Sequence, residues 1–225
     1  MIGFRILRRA RKVDEKVVQQ FREIPVANVS DSMYRMSAGG ARLRPMHKGG
    51  RMAGPALTVK TRPGDNLMVH KALDLAERGD VIVVDAGGDL TNALIGEIMS
   101  TYAAARGIAG IVIDGAIRDA DEIRANAFPV YAAGVTHRGP YKDGPGEINV
   151  PVAIDGMVIE PGDLIVGDDD GLLSLPIDEA EAILELAAAK HKSESESFAD
   201  LGKRDNNNMA GYMRRLRELG CVFEE

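Results

Sequence analysis

Two patterns of apolar residues alternate along the middle of the chain, and the order of these patterns predicts the fold. Short runs rich in β-branched residues, typical of buried strands, are separated by stretches in which apolar residues recur with helical spacing. The strand-like runs are "GPALTVKT" (54–61), "VIVVDAGG" (81–88, ending in a glycine turn), "AGIVIDG" (109–115) and "FPVYAAG" (128–134). The helical stretches between them cover residues 63–77, 96–106 and 119–126. This order predicts right-handed crossovers that build a parallel sheet.

The pattern changes after residue 150. The segment "VAIDGMVI" (152–159) predicts a hairpin centred on Asp155-Gly156, because this dipeptide is typical of two-residue hairpin turns. The segment "GDLIVGDDDGLLSLP" (162–176) predicts two more short strands around an acidic turn. We therefore expect an α/β fold in which a parallel βαβ core is joined to a β-rich portion.

Helical segments are predicted at both ends of the chain. Residues 13–36 have helical spacing, with Ser30 or Asp31 as the N-cap of a short second helix. The later stretches predict a helix over residues 178–192, a loose polar segment over 193–208 and a last helix near 209–219. We expect residues 1–225 to form a single domain, with an N-terminal helical segment of about 1–36 and a C-terminal helical extension of about 193–225.

Composition and charge narrow the class of protein. A hydrophobic content of 45% with 28% charged residues is typical of globular proteins, and no apolar run approaches the length of a membrane helix, so no membrane partner is expected. The net charge of −6 argues against nucleic acid as a partner. The single cysteine, Cys221, excludes an internal disulfide and favours a cytoplasmic protein. The basic N-terminus, "MIGFRILRRARK", is interpreted as an ordinary amphipathic segment rather than a transit peptide.

Charged residues follow two neighbouring strands of the predicted sheet. Glu97 comes just after Gly96, at the start of the helix that follows strand 81–88, and Arg118-Asp119 come just after strand 109–115. The carboxyl ends of parallel strands lie at one edge of a sheet, where open α/β folds bind their ligands. We therefore expect these three side chains to share a site.

Residues of these types suit a particular chemistry. Two carboxylates can hold Mg²⁺, directly or through its waters. A guanidinium beside the metal can bind a carboxylate or stabilise an enolate, because its planar fork matches two oxygens. Backbone N–H groups near Gly96, Ile98 and Met99, at a helix N-terminus, can bind an anion. This set predicts a site for a small 2-oxo acid whose enolate must be stabilised.

The spacing of these residues resembles that of a known family. Glu97, twenty intervening residues, then Arg118-Asp119 match the motif of the RraA-like family, in particular its class II pyruvate aldolases for 4-hydroxy-4-methyl-2-oxoglutarate and 4-carboxy-4-hydroxy-2-oxoadipate. The resemblance extends over most of residues 29–176, through "VSDSMYRM", "AGPALTV", "ARGIAGIVIDGAIRD" and "GPGEINVPVAIDGMVIEPGDLIVGDDDG". Many members have Asp where this chain has Glu97, whose longer side chain changes its reach.

The resemblance implies a swivelling β/β/α fold, a homotrimer or homohexamer, and active sites between subunits. It implies that Asp119 binds Mg²⁺ or Mn²⁺ and that Arg118 binds the pyruvyl oxygen and stabilises the enolate. Glu97 would hold water on the metal and assist proton transfer, and the backbone of Gly96, Ile98 and Met99 would bind the substrate carboxylate. The implied reaction is retro-aldol cleavage that releases pyruvate, with oxaloacetate decarboxylation as a side activity.

Simpler interpretations of the same residues stay open at this point. Asp119 could be only a helix N-cap beside a solvated arginine, and Glu97 only a first-turn acid that favours the helix dipole. The acidic run 168–170 before Gly171 is better explained by a tight turn than by a cation loop. His70 and His137 are weaker candidates for proton transfer, and Lys60 for a Schiff base.

Two other functions compete with the aldolase. RraA-like members that lack the Arg-Asp motif are protein-binding inhibitors of a ribonuclease, and this chain could be such a regulator. It could also be a metal-dependent enzyme of the same fold that acts on another 2-oxo acid. Retention of Glu97, Arg118 and Asp119 favours an enzyme.

Overall fold

Four parallel strands form the centre of the protein. A computed structural model describes residues 2–36, 39–200 and 207–223. Its central strands, each paired in parallel with the next, are β3 (Met52–Thr61), β4 (Val81–Ile95), β5 (Gly110–Ile117) and β6 (Val130–Val135). The helices between them are α3 (Leu67–Leu75), α4 (Glu97–Ala105) and α5 (Ala120–Ala125). The predicted βαβ core is confirmed.

Short strands extend the sheet on both sides. Strand β7 (Gly146–Ile148) pairs antiparallel with β3, and β1 (Phe4–Ile6) pairs in parallel with β7. At the other side β2 (Arg44–Pro45) pairs antiparallel with β6, which gives the order β1-β7-β3-β4-β5-β6-β2. The first 36 residues are therefore not helical throughout, because β1 joins a sheet edge that local spacing does not reveal.

The two N-terminal helices differ from the prediction at their boundaries. Helix α1 (Glu15–Phe21) and helix α2 (Val26–Ser32) are separated at Pro25, which lacks the N–H that a continuous helix needs. The predicted N-cap at Ser30 or Asp31 is wrong, since both residues lie inside α2. The Val26 N–H donates instead to the carboxylate of Asp168, at 2.9 Å. A residue distant in sequence therefore caps this helix.

The β-rich portion forms as predicted. Strands β8 (Val152–Ile154) and β9 (Met157–Ile159) form an antiparallel hairpin, and so do β10 (Leu164–Asp168) and β11 (Gly171–Leu175). Strand β10 also pairs antiparallel with the first half of β3, which joins this portion to the central sheet.

The C-terminal region contains more helix than predicted. A 3₁₀ turn (Ile177–Glu179) leads into α6 (Ala180–Asp200), so residues 193–200, predicted to be loose, are helical. The rest of the predicted loose stretch up to residue 206 lies outside the described residues. Helix α7 (Asn207–Glu218) is close to the predicted last helix. No helix in the described ranges is both long and apolar enough to cross a bilayer.

The sheet has an apolar core on each face. Alternate residues of β4 point to opposite faces, so that Val81 and Val83 join one buried cluster while Ile82 and Val84 join the other. Strand β4 does not end at a glycine turn as predicted. It bulges at Gly87 and Gly88, both with positive φ, and continues to Ile95. This extension carries the chain to the edge where β5 also ends.

Candidate active site

The ends of β4 and β5 bring the predicted site residues together. Ile95 and Ile117, the last residues of these strands, are paired in the sheet, and the Arg118 N–H donates to the Ile95 carbonyl oxygen at 3.0 Å. Gly96 and Glu97 therefore lie beside Arg118 and Asp119. The predicted meeting of the two segments at one edge of the sheet is present in the structure.

Asp119 has an unusual backbone conformation, and its side chain contacts the neighbouring helix. Its φ of 54° and ψ of 45° lie in the left-handed region, which aspartate tolerates better than most residues. Its Oδ2 accepts the Glu97 N–H at 2.9 Å, so the carboxylate caps α4 rather than α5, whose N-terminus Asp119 occupies. Oδ1 has no hydrogen-bond partner among the described residues, and the side chain is 38% exposed.

Gly96 leaves the space that this carboxylate occupies. A Cβ on Gly96 would overlap Asp119 Oδ2 and would lie 3.0 Å from Arg118 Cγ. The backbone of Gly96 is extended and accessible to any residue, so the requirement for glycine at this position comes from space rather than from backbone conformation. Any larger side chain would displace the pair.

Arg118 presents its guanidinium to the same space. Its Nε is 3.8 Å from Asp119 Oδ2, and the side chain is 44% exposed. Among the described residues Asp119 is its ion-pair partner, and at this distance the pair is loose. Donors of the planar guanidinium therefore remain available for an anionic ligand.

A cleft of about 180 Å³ adjoins these residues. Five of the six predicted site residues line it, namely Gly96, Ile98, Met99, Arg118 and Asp119. The sixth, Glu97, is exposed and does not line the cleft, although its backbone N–H positions Asp119.

The start of α4 contributes backbone donors. Ile98 and Met99 are the second and third residues of this nine-residue helix, and no acceptor for their N–H groups is found in the described part of the chain. Unpaired N–H groups at a helix N-terminus, together with the helix dipole, favour a bound anion. A carboxylate in the cleft could accept from both.

Residues that the sequence analysis missed also line the cleft. Asn66, Pro140 and Lys142 line it together with His70, which was only a weak candidate. Asn66 is buried, its Nδ2 donates to the Leu94 carbonyl oxygen at 2.8 Å, and its Oδ1 has no partner in the described structure. Asn66 lies in the segment between the end of β3 at Thr61 and the start of α3 at Leu67, so extending the edge argument to this strand points to the segment that contains it.

The side chain of Asp65 connects the loop that contains Lys142 to the start of α3. The side chain of Asp65 is fully buried, and its Oδ2 accepts the N–H groups of Asp143 and Gly144 at 2.8 and 2.9 Å. Burial disfavours its charged form, but these hydrogen bonds, that from the Leu67 N–H and the charge of Arg62 outweigh burial and lower the pKa of Asp65. The loop beside the cleft is therefore anchored to a buried carboxylate.

His70 lies one turn along α3 from Asn66. Its backbone N–H donates to the Asn66 carbonyl oxygen at 3.0 Å, and both residues line the cleft. Partial burial, and then the positive charge of Lys142, lower the pKa of His70 from its usual value. The imidazole is therefore neutral near pH 7 and can donate one ring N–H.

The other candidates lie away from the cleft. His137 and Lys60 are exposed and do not line it. Residues 168–171 form the turn between β10 and β11, where the Asp168 carboxylate accepts the N–H groups of Asp170 and Val26. Both oxygens of Asp168 thus have structural partners, which agrees with the interpretation as a tight turn.

The donors around Asp119 fit a largely hydrated divalent cation. Across the described ranges, no group of three or more His, Cys, Asp or Glu side chains is placed to hold a metal ion. Mg²⁺ often keeps several waters and takes only one or two carboxylates, and Mn²⁺ accepts the same hard oxygen ligands. Oδ1 of Asp119 suits such an ion.

The chain is similar to one family of known proteins. A family model named RraA-like and described as Aldolase/RraA matches residues 26–173. A Halalkalibacterium halodurans protein named "Putative 4-hydroxy-4-methyl-2-oxoglutarate aldolase" is 43% identical over 173 residues, which cover 77% of this chain and 82% of the relative. A Thermus thermophilus protein named 4-hydroxy-4-methyl-2-oxoglutarate aldolase is 38% identical over 126 residues, which cover 56% of this chain and 76% of the relative.

A solved structure of a protein from the RraA family aligns with this fold. Streptomyces coelicolor RraAS2, described as an unusual member of the RNase ES inhibitor RraA protein family, aligns with a TM-score of 0.74 and 28% identity. The alignment covers 85% of this chain and 98% of that one. The predicted RraA-like α/β fold is confirmed.

Proposed function

Because the chain belongs to the RraA-like family, described as Aldolase/RraA, we propose that it is a divalent-metal-dependent aldolase of class II. The names of its relatives support an aldolase, which is a carbon-carbon lyase. The proposed substrate is a 4-hydroxy-2-oxo dicarboxylic or tricarboxylic acid, and one product is pyruvate. The observation that carries the proposal is the Asp119 carboxylate, fixed beside Arg118 at the N-terminus of α4 with one oxygen unpaired among the described residues.

The walls of the cleft offer a binding mode for the 2-oxo acid end of the substrate. Its carboxylate accepts hydrogen bonds from the N–H groups of Ile98 and Met99, and Arg118 donates to its 2-oxo oxygen. Asp119 would hold Mg²⁺ or Mn²⁺, which supplies Lewis-acid polarisation of the 2-oxo group when bound. These contacts stabilise negative charge on the oxygen at C2.

The proposed reaction is a retro-aldol cleavage. A base removes the proton from the C4 hydroxyl group, the C4–O bond becomes a carbonyl, and the C3–C4 bond breaks. The electron pair of that bond forms the enolate of pyruvate, whose oxygen Arg118 stabilises, and protonation at C3 completes the reaction. Glu97, whose side chain is exposed and does not line the cleft, would exchange the proton through water.

Oxaloacetate decarboxylation follows from the same arrangement. Loss of CO₂ from oxaloacetate leaves an electron pair on C3 and so produces the same enolate of pyruvate. We therefore propose this decarboxylation as a side activity that also depends on Arg118 and the metal.

The test is pyruvate release from 4-hydroxy-4-methyl-2-oxoglutarate, measured with lactate dehydrogenase, in Mg²⁺, in excess EDTA and after Mg²⁺ is restored. We expect Asp119→Asn to reduce the Mg²⁺-dependent rate by roughly 100-fold or more, because an amide is a poor ligand for a hard cation. Asparagine tolerates the left-handed backbone and can still accept the Glu97 N–H, so the fold is preserved.

A matched control is Asp121→Asn, which removes one carboxylate two residues away, on the exposed face of α5 where it pairs with Arg124. This variant should keep the wild-type rate. Turnover that resists EDTA, or an Asp119→Asn variant with full activity, would exclude the metal mechanism.

The regulator remains the second candidate, and its support comes from the description of the Streptomyces relative. Here Arg118 and Asp119 line a formed cleft, which favours the enzyme. A metal-independent complex with a ribonuclease, together with no turnover of any 2-oxo acid, would favour the regulator instead.

We also propose assembly as a homotrimer or homohexamer. Apolar side chains stand exposed beside the cleft, including Ile98, of which 81% is exposed, and Tyr102 one turn further along α4. A second copy packed against this face would cover these side chains and enclose the cleft. Light scattering of the purified protein measures the oligomer directly.

A further inference from the structure

A second cleft, of about 270 Å³, lies apart from the candidate active site. The two clefts have no lining residue in common. Most residues that line the second cleft are glycines or carry apolar side chains, and three are polar, namely Ser30, Arg44 and Asp170. Its volume is below the range of about 300–1,000 Å³ that is typical of sites for drug-sized molecules, so a smaller ligand fits it.

The two charged side chains of this cleft are of opposite sign and do not pair with each other. Arg44 and Asp170 both line it, yet their charged groups are too far apart to form an ion pair. Within the described residues neither of them has another ion-pair partner, and the Ser30 hydroxyl has no hydrogen-bond partner. A ligand between Arg44 and Asp170 could therefore satisfy both charges at once.

The turn that carries Asp170 is held against α2. The Asp170 N–H donates to Oδ1 of Asp168 at 3.0 Å, and Oδ2 of Asp168 accepts the Val26 N–H at 2.9 Å. The hydroxyl of the buried Tyr131 donates to the Asp168 carbonyl oxygen at 3.0 Å. Ser30 lies in the same helix as Val26, so the backbones of Ser30 and Asp170 are fixed relative to each other.

Contacts also fix the wall that carries Arg44. This residue is part of β2, which pairs with β6. In the segment before it, a Cβ on Gly39 would lie 2.7 Å from the side chain of Met157. A Cβ on Gly40 would lie 2.9 Å from the carboxylate of Asp155, so this segment packs closely on the β8–β9 hairpin. The walls are therefore in place before a ligand binds, which lowers the entropic cost of binding.

We propose that this cleft binds a free α-amino acid with a short aliphatic side chain. The α-carboxylate would accept hydrogen bonds from Arg44, whose planar fork matches two oxygens, and the α-ammonium group would donate to Asp170. The Ser30 hydroxyl can donate to the first group or accept from the second. The aliphatic side chain would pack against the buried Leu172 and Leu173, which line the same cleft. This inference does not depend on the proposed aldolase reaction.

The binding test compares L-valine with two analogues that each lack one of its charges. Isovalerate is valine without the ammonium group, and isobutylamine is valine without the carboxylate. We expect titration calorimetry at pH 7 to show that L-valine binds the wild type at least about 10-fold more tightly than either analogue, because each analogue loses hydrogen bonds between charged groups. Low ionic strength is required, since Arg44 and Asp170 are exposed and salt screens such charges.

Two variants assign each charge of the ligand to a side chain. We expect Arg44→Met and Asp170→Asn each to weaken binding of L-valine by roughly 10- to 100-fold. Arg44→Met should leave the weaker binding of isobutylamine unchanged, and Asp170→Asn should leave that of isovalerate unchanged. A variant that had merely lost the shape of the cleft would weaken all three ligands.

The matched controls are Lys48→Met and Asp169→Asn. Lys48 and Asp169 are exposed, carry the same charges as Arg44 and Asp170, and lie close to them in sequence, but they do not line the cleft. Both control variants should bind L-valine as the wild type does. Equal weakening by a control and by its matched variant would mean that only the overall charge of this surface matters, and the site would then be wrong.

Competition with pyruvate distinguishes this cleft from the candidate active site. We expect saturating pyruvate in Mg²⁺ to leave the affinity for L-valine unchanged, because the two clefts share no residue. Displacement of L-valine by pyruvate would place the amino acid in the other cleft and overturn the proposal. The proposal also fails if L-valine shows no saturable binding to the wild type, or if its binding survives both Arg44→Met and Asp170→Asn.

Discussion

At the scale of single residues, the two carboxylate oxygens of Asp119 differ in their contacts. Oδ2 accepts the first N–H of α4, and Oδ1 has no partner in the described structure. The carboxylate therefore lies at the N-terminus of α4, where the positive end of the helix dipole is found. A negative charge is thus ready to bind a cation without any rearrangement of the protein.

Substitution of Gly96 by alanine tests this arrangement. Because the new Cβ would overlap the Asp119 carboxylate, we expect Gly96→Ala to lower Mg²⁺-dependent pyruvate release by roughly 100-fold, as misplacement by about 1 Å can do, with a small change in melting temperature. Gly211→Ala is the matched control, since a Cβ there meets no atom of the described residues within 4 Å. A Gly96→Ala enzyme with full activity would contradict the described packing.

Some residues of the site could be predicted from the sequence and others could not. Gly96, Arg118 and Asp119 follow directly from the rule that parallel strands end at one edge. Lys142 could not be found in this way, because it follows no parallel strand and reaches the cleft through contacts of its loop with Asp65. Such contacts between distant segments leave no periodic pattern in the sequence.

At the scale of elements, Asp65 joins α3 to the loop that carries Lys142. The lowered pKa of Asp65 means that its charged form is more stable in the folded protein than in the unfolded chain. Its contribution to stability is therefore complete above the unfolded-state pKa of about 3.9 and is lost as the pH falls through the lower folded-state value.

Replacement of Asp65 by asparagine should accordingly have a pH-dependent effect. We expect Asp65→Asn to lower the free energy of unfolding at pH 7 by about 1–3 kcal/mol, because N–H groups of the loop lose a charged acceptor. Its deficit relative to the wild type should shrink as the pH falls below about 4. Urea unfolding at pH 7 and pH 3 measures this, with the exposed Asp143→Asn as control. A deficit that is equal at both pH values would rule out the ionised carboxylate as its source.

The elements differ in how far local sequence determines them. The strands β3 to β6 were predictable because buried parallel strands are continuous apolar runs. The extension of β4 to Ile95 was not, because Gly87 and Gly88 are typical of turns and here form bulges that keep the strand in the sheet. The N-terminus of α2 was missed because its cap, Asp168, comes from another hairpin.

At the scale of the whole molecule, an ion pair ties the N-terminal segment to the core. The two terminal guanidinium nitrogens of Arg9, Nη1 and Nη2, donate to the Asp80 carboxylate at 2.9 and 3.0 Å. The side chain of Asp80 is fully buried and that of Arg9 is 10% exposed. Loss of Arg9 would leave a buried carboxylate without its counter-charge.

We expect Arg9→Ala to reduce the free energy of unfolding by about 3–5 kcal/mol, which is typical of breaking a buried pair. Arg11→Ala is the matched control, because its pair with Asp178 is largely exposed and should contribute about 1 kcal/mol or less. Urea unfolding at neutral pH compares the two variants. Equal losses would mean that burial does not determine the contribution of these pairs.

The lengths of the outermost strands have a consequence for solubility. A free strand edge offers unpaired N–H and C=O groups on which another chain can build, and this is a common route to aggregation. The main path of this sheet contains a strand of fifteen residues, yet it ends in β1 with three residues and β2 with two. One of the two residues in β2 is Pro45, which has no N–H to donate. Along this path, therefore, the sheet offers an incoming strand too few backbone groups to extend it into a fibre.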